Sequence, residues 1–113
     1  MLATTFLVEQ EKLDASKLTV VGASLGSIFG AIHGALDSRI PRTLIVHGGG
    51  NFPAIGKSYS RLRERGWPVG PTVWLADRLF GTFDPLLYVS RIAPRELVIL
   101  AASNDIYFPL ESA

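Results

Sequence analysis

An α/β fold, with a parallel β-sheet flanked by helices, is predicted by three observations. Three short apolar runs, at residues 18–21, 43–47 and 97–102, contain β-branched residues and are apolar on both faces. Segments with helical spacing of apolar residues separate them. Strands alternating with helices in this way mark a sheet covered by helices. A length of 113 residues is that of one modest domain.

The elements follow in order. Residues 2–12 read as the tail of an amphipathic helix, and 13–17 as a polar connector. Residues 18–21 (Leu-Thr-Val-Val) form the first strand. From Ser24 to Asp37 the period turns helical, with Leu25, Ile28, Phe29, Ile32 and Leu36 on the apolar positions. Gly26, Gly30 and Gly34 recur every fourth residue and share a stripe. Each costs a helix about 1 kcal/mol relative to alanine, so the stripe predicts close contact with a sheet or another backbone. The expectation is a helix buried nearly all round. Residues 43–47 form the second strand, closed by Gly48, Gly49, Gly50 and Asn51. A helix over 54–65 would stop at Gly66 and Pro68. Residues 73–80 are apolar apart from Asp77 and Arg78. Asp84-Pro85 marks the start of a short helix over 85–92. Residues 97–102 form the third strand, which runs into Ser103-Asn104-Asp105 and then Pro109.

Composition narrows the function. Eleven basic and ten acidic residues give a net charge of +1, and the only basic cluster, Arg61-Leu62-Arg63-Glu64-Arg65, is interrupted by a glutamate. That leaves no electrostatic footprint for nucleic acid; Arg61, Arg63 and Arg65 read as a solvated helix face. With no cysteine there is no disulfide framework and no thiolate site. No apolar run reaches the length of a membrane span. The N-terminus lacks the basic start of a signal peptide, so a cytoplasmic location is the default. The chain is 48% hydrophobic and only 19% charged. That is rich for a small domain, which has much surface to cover, and some apolar residues are expected to face further protein.

The candidate chemistry sits in Gly22-Ala23-Ser24-Leu25-Gly26. A G-x-S-x-G match is common by itself; its placement on a strand-to-helix turn is what a nucleophile elbow requires. The turn forces the serine into a strained conformation, and Gly22 and Gly26 remove side chains that would clash. The serine Oγ is then exposed near a helix N-terminus, where developing negative charge is favoured. A glycine loop for a nucleotide phosphate is the rival. It fits less well: Ser24 and Ile28 stand where glycines are wanted, and the second strand ends in His47 and glycines with no carboxylate.

The chain resembles the central and later part of an α/β-hydrolase, in the dienelactone-hydrolase and acetyl-esterase-like branch. The resemblance spans residues 2–110. It is carried by the elbow and its glycine-striped helix and by the 43–47 strand with its glycine cluster. The run from Asp84-Pro85, through Pro94-Arg95 and the third strand, to Asn104-Asp105 and Pro109 completes it. The resemblance implies a serine hydrolase of carboxylic esters or related acyl compounds, with no metal or organic cofactor and a small ester-like substrate. Ser24 would be the acylated nucleophile and Asp105 the acid of the triad. The Leu25 N–H would be one oxyanion donor. It also implies a cap or lid insertion at about 52–83, where Trp67, Trp74, Phe80 and Phe83 could wall an acyl pocket along with His47; Tyr59 lies in the same stretch.

The family's histidine belongs on a loop after one more strand, and its second oxyanion donor in an earlier half. Neither is in this sequence, so the expectation is a single partial hydrolase domain. His33, within the buried helix, reads as a local capping or pairing residue. His47 reads first as the end of a strand, and His47-Gly48-Gly49-Gly50 as a coincidental likeness to a lipase oxyanion motif. The alternatives are a non-catalytic piece, or one completed through its sheet edges by another chain or a second copy.

Overall fold

The computed structural model describes residues 1–58, 63–109 and 112. Its centre is a three-stranded parallel sheet of β1 (Thr19–Ala23), β2 (Arg42–Val46) and β3 (Glu96–Leu100), in the order β1-β2-β3. The register pairs Ala23 with Val46 and Val46 with Leu100, so all three strands end level. Helices α1 (Leu2–Val8), α2 (Leu25–Leu36), α3 (Phe52–Ser58) and α4 (Val69–Phe80) flank it. This is the α/β arrangement that the alternating pattern predicts.

Helix α2 lies against the sheet through bare backbone. A Cβ on Gly30 would come 3.0 Å from the Gly22 Cα, and one on Gly34 would collide with the Thr43 side chain. Gly26 departs from the expectation for the stripe, because a Cβ there would meet nothing within 4 Å. The prediction that α2 is buried nearly all round is also corrected. Ser27, Gly30, Ala31, Gly34 and Ala35 are buried, but Leu25, Phe29 and Leu36 are exposed along one flank. Periodicity identifies the apolar positions, not whether anything covers them. Val21 on β1 and Val98, Ile99 and Leu100 on β3 are likewise exposed.

The C-terminal end of α2 is tied down by several contacts. There the Arg95 guanidinium donates to the carbonyls of Gly34 (2.6 Å), Asp37 (3.0 Å) and Ile40 (2.9 Å). These include acceptors that a helix end leaves unpaired, and a cation there also complements the helix dipole. Buried Asp37 pairs with Arg39 at 2.7 Å, which holds its carboxyl well below the usual range. His33 Nε2 meets the Thr4 hydroxyl at 2.9 Å and approaches Asp37 at 3.8 Å, joining α1 to α2.

Other elements differ in extent from the sequence expectation. Helix α1 stops at Val8, and the connector holds a 3-10 turn, Ala15–Lys17, in which the Asp14 carboxylate accepts from the Ser16 N–H. Of the helix expected over 54–65, α3 covers the start as far as Ser58, and residues 63–64 are helical before a turn at 65–66; Tyr59 and Arg61 lie outside the described residues. Helix α4 was not foreseen from residue 69. Its first turn contains Pro71, at a position whose missing N–H costs nothing because a helix start has no acceptor for it. Instead of one helix over 85–92 there are two 3-10 turns, Pro85–Leu87 and Val89–Arg91, meeting at Tyr88 (φ −118°).

Two side-chain substitutions test these contacts. Thr43 is fully buried and its hydroxyl has no hydrogen-bond partner. Thr43→Val keeps the shape and removes the unsatisfied group, and should raise stability by about 1 kcal/mol in denaturant unfolding. Arg95→Ala should lower it by about 2 kcal/mol, with Arg95→Lys recovering only part, because an ammonium lacks the planar fork of donors.

Candidate active site

The level strand ends create one busy edge of the sheet. Ser24 follows β1 directly and precedes α2, at φ 50° and ψ −123°. A non-glycine residue takes that backbone conformation only under strain, at a cost of about 1–3 kcal/mol. The surroundings impose it. A Cβ on Gly22 would come 2.5 Å from the Gly26 carbonyl oxygen and 2.8 Å from the Ser27 Cα, so only glycine lets the chain turn this tightly. The Ser24 N–H donates to the Val46 carbonyl (3.0 Å) and its carbonyl accepts from Ser27 (2.9 Å). Its side chain is exposed and makes no capping bond to the helix. Leu25 is the first residue of α2, so its N–H belongs to the set that a helix start leaves without an intrahelical acceptor. At the elbow the close approach rests on Gly22, while Gly26 contributes its carbonyl.

Asp105 lies beyond the end of β3. Its Oδ1 accepts from the N–H groups of Tyr107 (2.8 Å) and Phe108 (2.9 Å). Its Oδ2 lies 3.4 Å from His47 Nδ1. The amides of Phe108 and Tyr107, and secondarily His47, hold the Asp105 carboxyl below its ordinary value. His47 follows β2 at φ 46°, with its side chain exposed and its N–H donating to the Leu100 carbonyl at 2.9 Å. The strand-end residue of the sequence reading therefore has a carboxylate partner from the next strand.

A cleft of about 560 Å³ opens beside Ser24. Ser24, Leu25 and Ile28 form one wall, Phe52 and Ile55 of α3 and Val73 and Phe80 of α4 another, and Tyr107 and Phe108 a third. Thr72 and Asp77 are its other polar side chains. Of the aromatic pocket candidates, Phe80 lines it. Trp67, Trp74 and Phe83 do not; they are exposed, and His47 lies outside the lining. Trp74, next to buried Val73 on α4, is exposed. Among the walls that the sequence reading missed are Val73 and Ala76, which share a helical stripe with Phe80 that extending α4 back to residue 69 would have exposed.

Asp84 holds this second wall in place. Buried between the layers, it accepts from the N–H groups of Asn51 (2.9 Å) and Phe52 (2.7 Å), which open α3, and from Leu86 (3.0 Å). Among the described residues no cluster of three or more His, Cys, Asp or Glu side chains could hold a metal ion. None of their helices is long and apolar enough to cross a membrane.

A scan against protein-family models finds no match, and no curated protein matches the chain.

The elbow strain is measurable. Ser24→Gly should raise stability by about 1 kcal/mol in thermal or denaturant unfolding, because relief of the backbone strain exceeds the added entropy of the unfolded chain. A neutral or lowered stability would mean that the turn is unstrained.

Proposed function

We propose that the chain carries the nucleophile-bearing part of a serine hydrolase that cleaves carboxylic esters through an acyl-enzyme. The observation that carries this reading is Ser24 at φ 50° and ψ −123°, on a strand-to-helix turn at the mouth of an apolar cleft. Strain at one exposed serine, imposed by Gly22 against Gly26 and Ser27, is what a nucleophile elbow needs and what a simple connecting turn does without. The resemblance to the dienelactone-hydrolase and acetyl-esterase-like branch of the α/β-hydrolases supports the same reading. In this account Ser24 Oγ attacks the ester carbonyl carbon. The Leu25 N–H faces the developing oxyanion at the helix start, and Asp105 is the acid of the triad.

The cleft suggests the substrate class. Its walls are almost wholly aliphatic and aromatic, and its volume is within the usual range for small-molecule sites. An ester with an apolar acyl or aryl group fits it. Phe80 contributes to that fit; Trp67, Trp74 and Phe83 are left to other roles.

The uncovered apolar residues favour a second reading, a non-catalytic piece or one completed by another chain. Phe29 and Leu36 on α2 and Val21 on the edge strand are large apolar side chains left exposed among the described residues. One experiment separates the two. A fluorophosphonate probe should label the purified chain, and Ser24→Ala should abolish the labelling. A folded chain that takes no label would establish the non-catalytic reading.

A further inference from the structure

Among the described residues, the cleft beside Ser24 is lined by one charged side chain, Asp77 of α4. The rest of the lining is aliphatic or aromatic apart from Ser24, Thr72 and the glycine backbone. The Asp77 carboxylate has no hydrogen bond and no ion pair among the described residues. Arg78 is its neighbour in sequence, but residues one apart on a helix do not face each other. The position is also unfavourable for an anion. Asp77 lies in the last turn of α4, where the helix dipole presents its negative end. Gly81 keeps room in front of it, since a Cβ there would come 3.0 Å from Asp77 Oδ1. What such a carboxylate lacks is a cation.

Asp77 also borders a second hollow, of about 520 Å³, whose lining includes Asn51, Arg78, Thr82 and Asp84. It therefore stands where an apolar space and a polar one meet. Asp84 is no rival for a cation there, because its oxygens already accept from the N–H groups of Asn51, Phe52 and Leu86. Arg78 lines the polar hollow and not the apolar cleft. An ammonium group at Asp77 would keep part of its hydration through the polar hollow while the apolar body attached to it fills the cleft. That avoids the cost of burying a charge fully. The aromatic walls favour the same sign of charge, because ring faces attract cations.

Resting on the serine-hydrolase reading, we propose that Asp77 selects the substrate. The cleft takes esters whose apolar acyl or aryl part carries an ammonium group, and Asp77 binds that group while Ser24 attacks the ester. Ser24 and Asp77 line the same cleft, whose 560 Å³ is enough for one small molecule to meet both.

The test is binding to the purified full chain of three ligands of similar size: benzylammonium, benzyl alcohol and benzoate. Amide shifts in ¹H–¹⁵N NMR spectra give the affinities, and those of Ser24, Ala76 and Phe80 mark the cleft. Wild type should bind benzylammonium at least about 10-fold more tightly than benzyl alcohol, and benzoate most weakly. The preference should shrink with added salt, as for any partly exposed ion pair. Asp77→Asn should remove the preference and leave benzyl alcohol binding unchanged. Asp77→Lys should turn it toward benzoate, which a merely structural aspartate would not do. Both variants should fold at least as stably as wild type, because an anion leaves the helix C-terminus. Equal affinity of wild type for the three ligands, or a preference that survives Asp77→Asn, would overturn the role of Asp77. The titration forms no bond to Ser24, so it is read separately from fluorophosphonate labelling. Labelling without an ammonium preference would overturn this inference and leave the nucleophile standing. An ammonium preference without labelling would establish the cation site and overturn hydrolysis alone.

Discussion

A Cβ on Gly30 would touch the Cα of Gly22, so helix α2 and strand β1 meet without intervening side chains. That separation sets the geometry of everything at the edge of the sheet. With the helix so close, the chain must reverse within one residue, and the residue that does it is Ser24. The same closeness presses Gly34 against Thr43 on the central strand, leaving a buried hydroxyl without a partner. Unpaired buried hydroxyls are costly, and tolerating one here shows how little room the helix and sheet leave each other. Arg95 completes the arrangement from the far end, where one guanidinium from the approach to β3 gathers the last carbonyls of α2. The elbow is therefore held from behind by backbone contact and from below by charge.

A second layer is organised around a single carboxylate. Asp84 satisfies the opening amides of α3 and of the Pro85–Leu87 turn, and Gly50 passes so close that a Cβ there would strike it. Helix α4 packs on α3 where Val73 meets Gly56, closing the cleft opposite Ser24. Sheet, elbow and cleft thus depend on a few polar clamps more than on a deep core. The buried apolar side chains are small or medium-sized, among them Ala31, Ala35, Ile45 and Ile92.

Most of the sheet was legible in the sequence, because β-branched runs such as Thr43-Leu44-Ile45-Val46 have few other stable uses. The turn at Ser24 was legible because glycine, serine and glycine straddle the change of period. Helix α4 was hidden by Pro68, Gly70 and Pro71, which look like breakers until the first turn of a helix is seen to need none of their N–H groups. Aromatic type does not fix placement: Phe80 lines the cleft and Trp74 does not. The partnership of His47 with Asp105 was out of reach of any linear reading. It depends on the register that levels the ends of β2 and β3 and on a positive φ at the histidine.

Asp105 divides its two oxygens between different tasks. Oδ1 supports the backbone of Tyr107 and Phe108, which wall the cleft, while Oδ2 faces His47. A carboxylate is planar and rigid, so a group in the cleft that displaced Tyr107 and Phe108 would also turn the oxygen that His47 faces; the shape of one wall and the position of the strand-end imidazole are tied through one side chain.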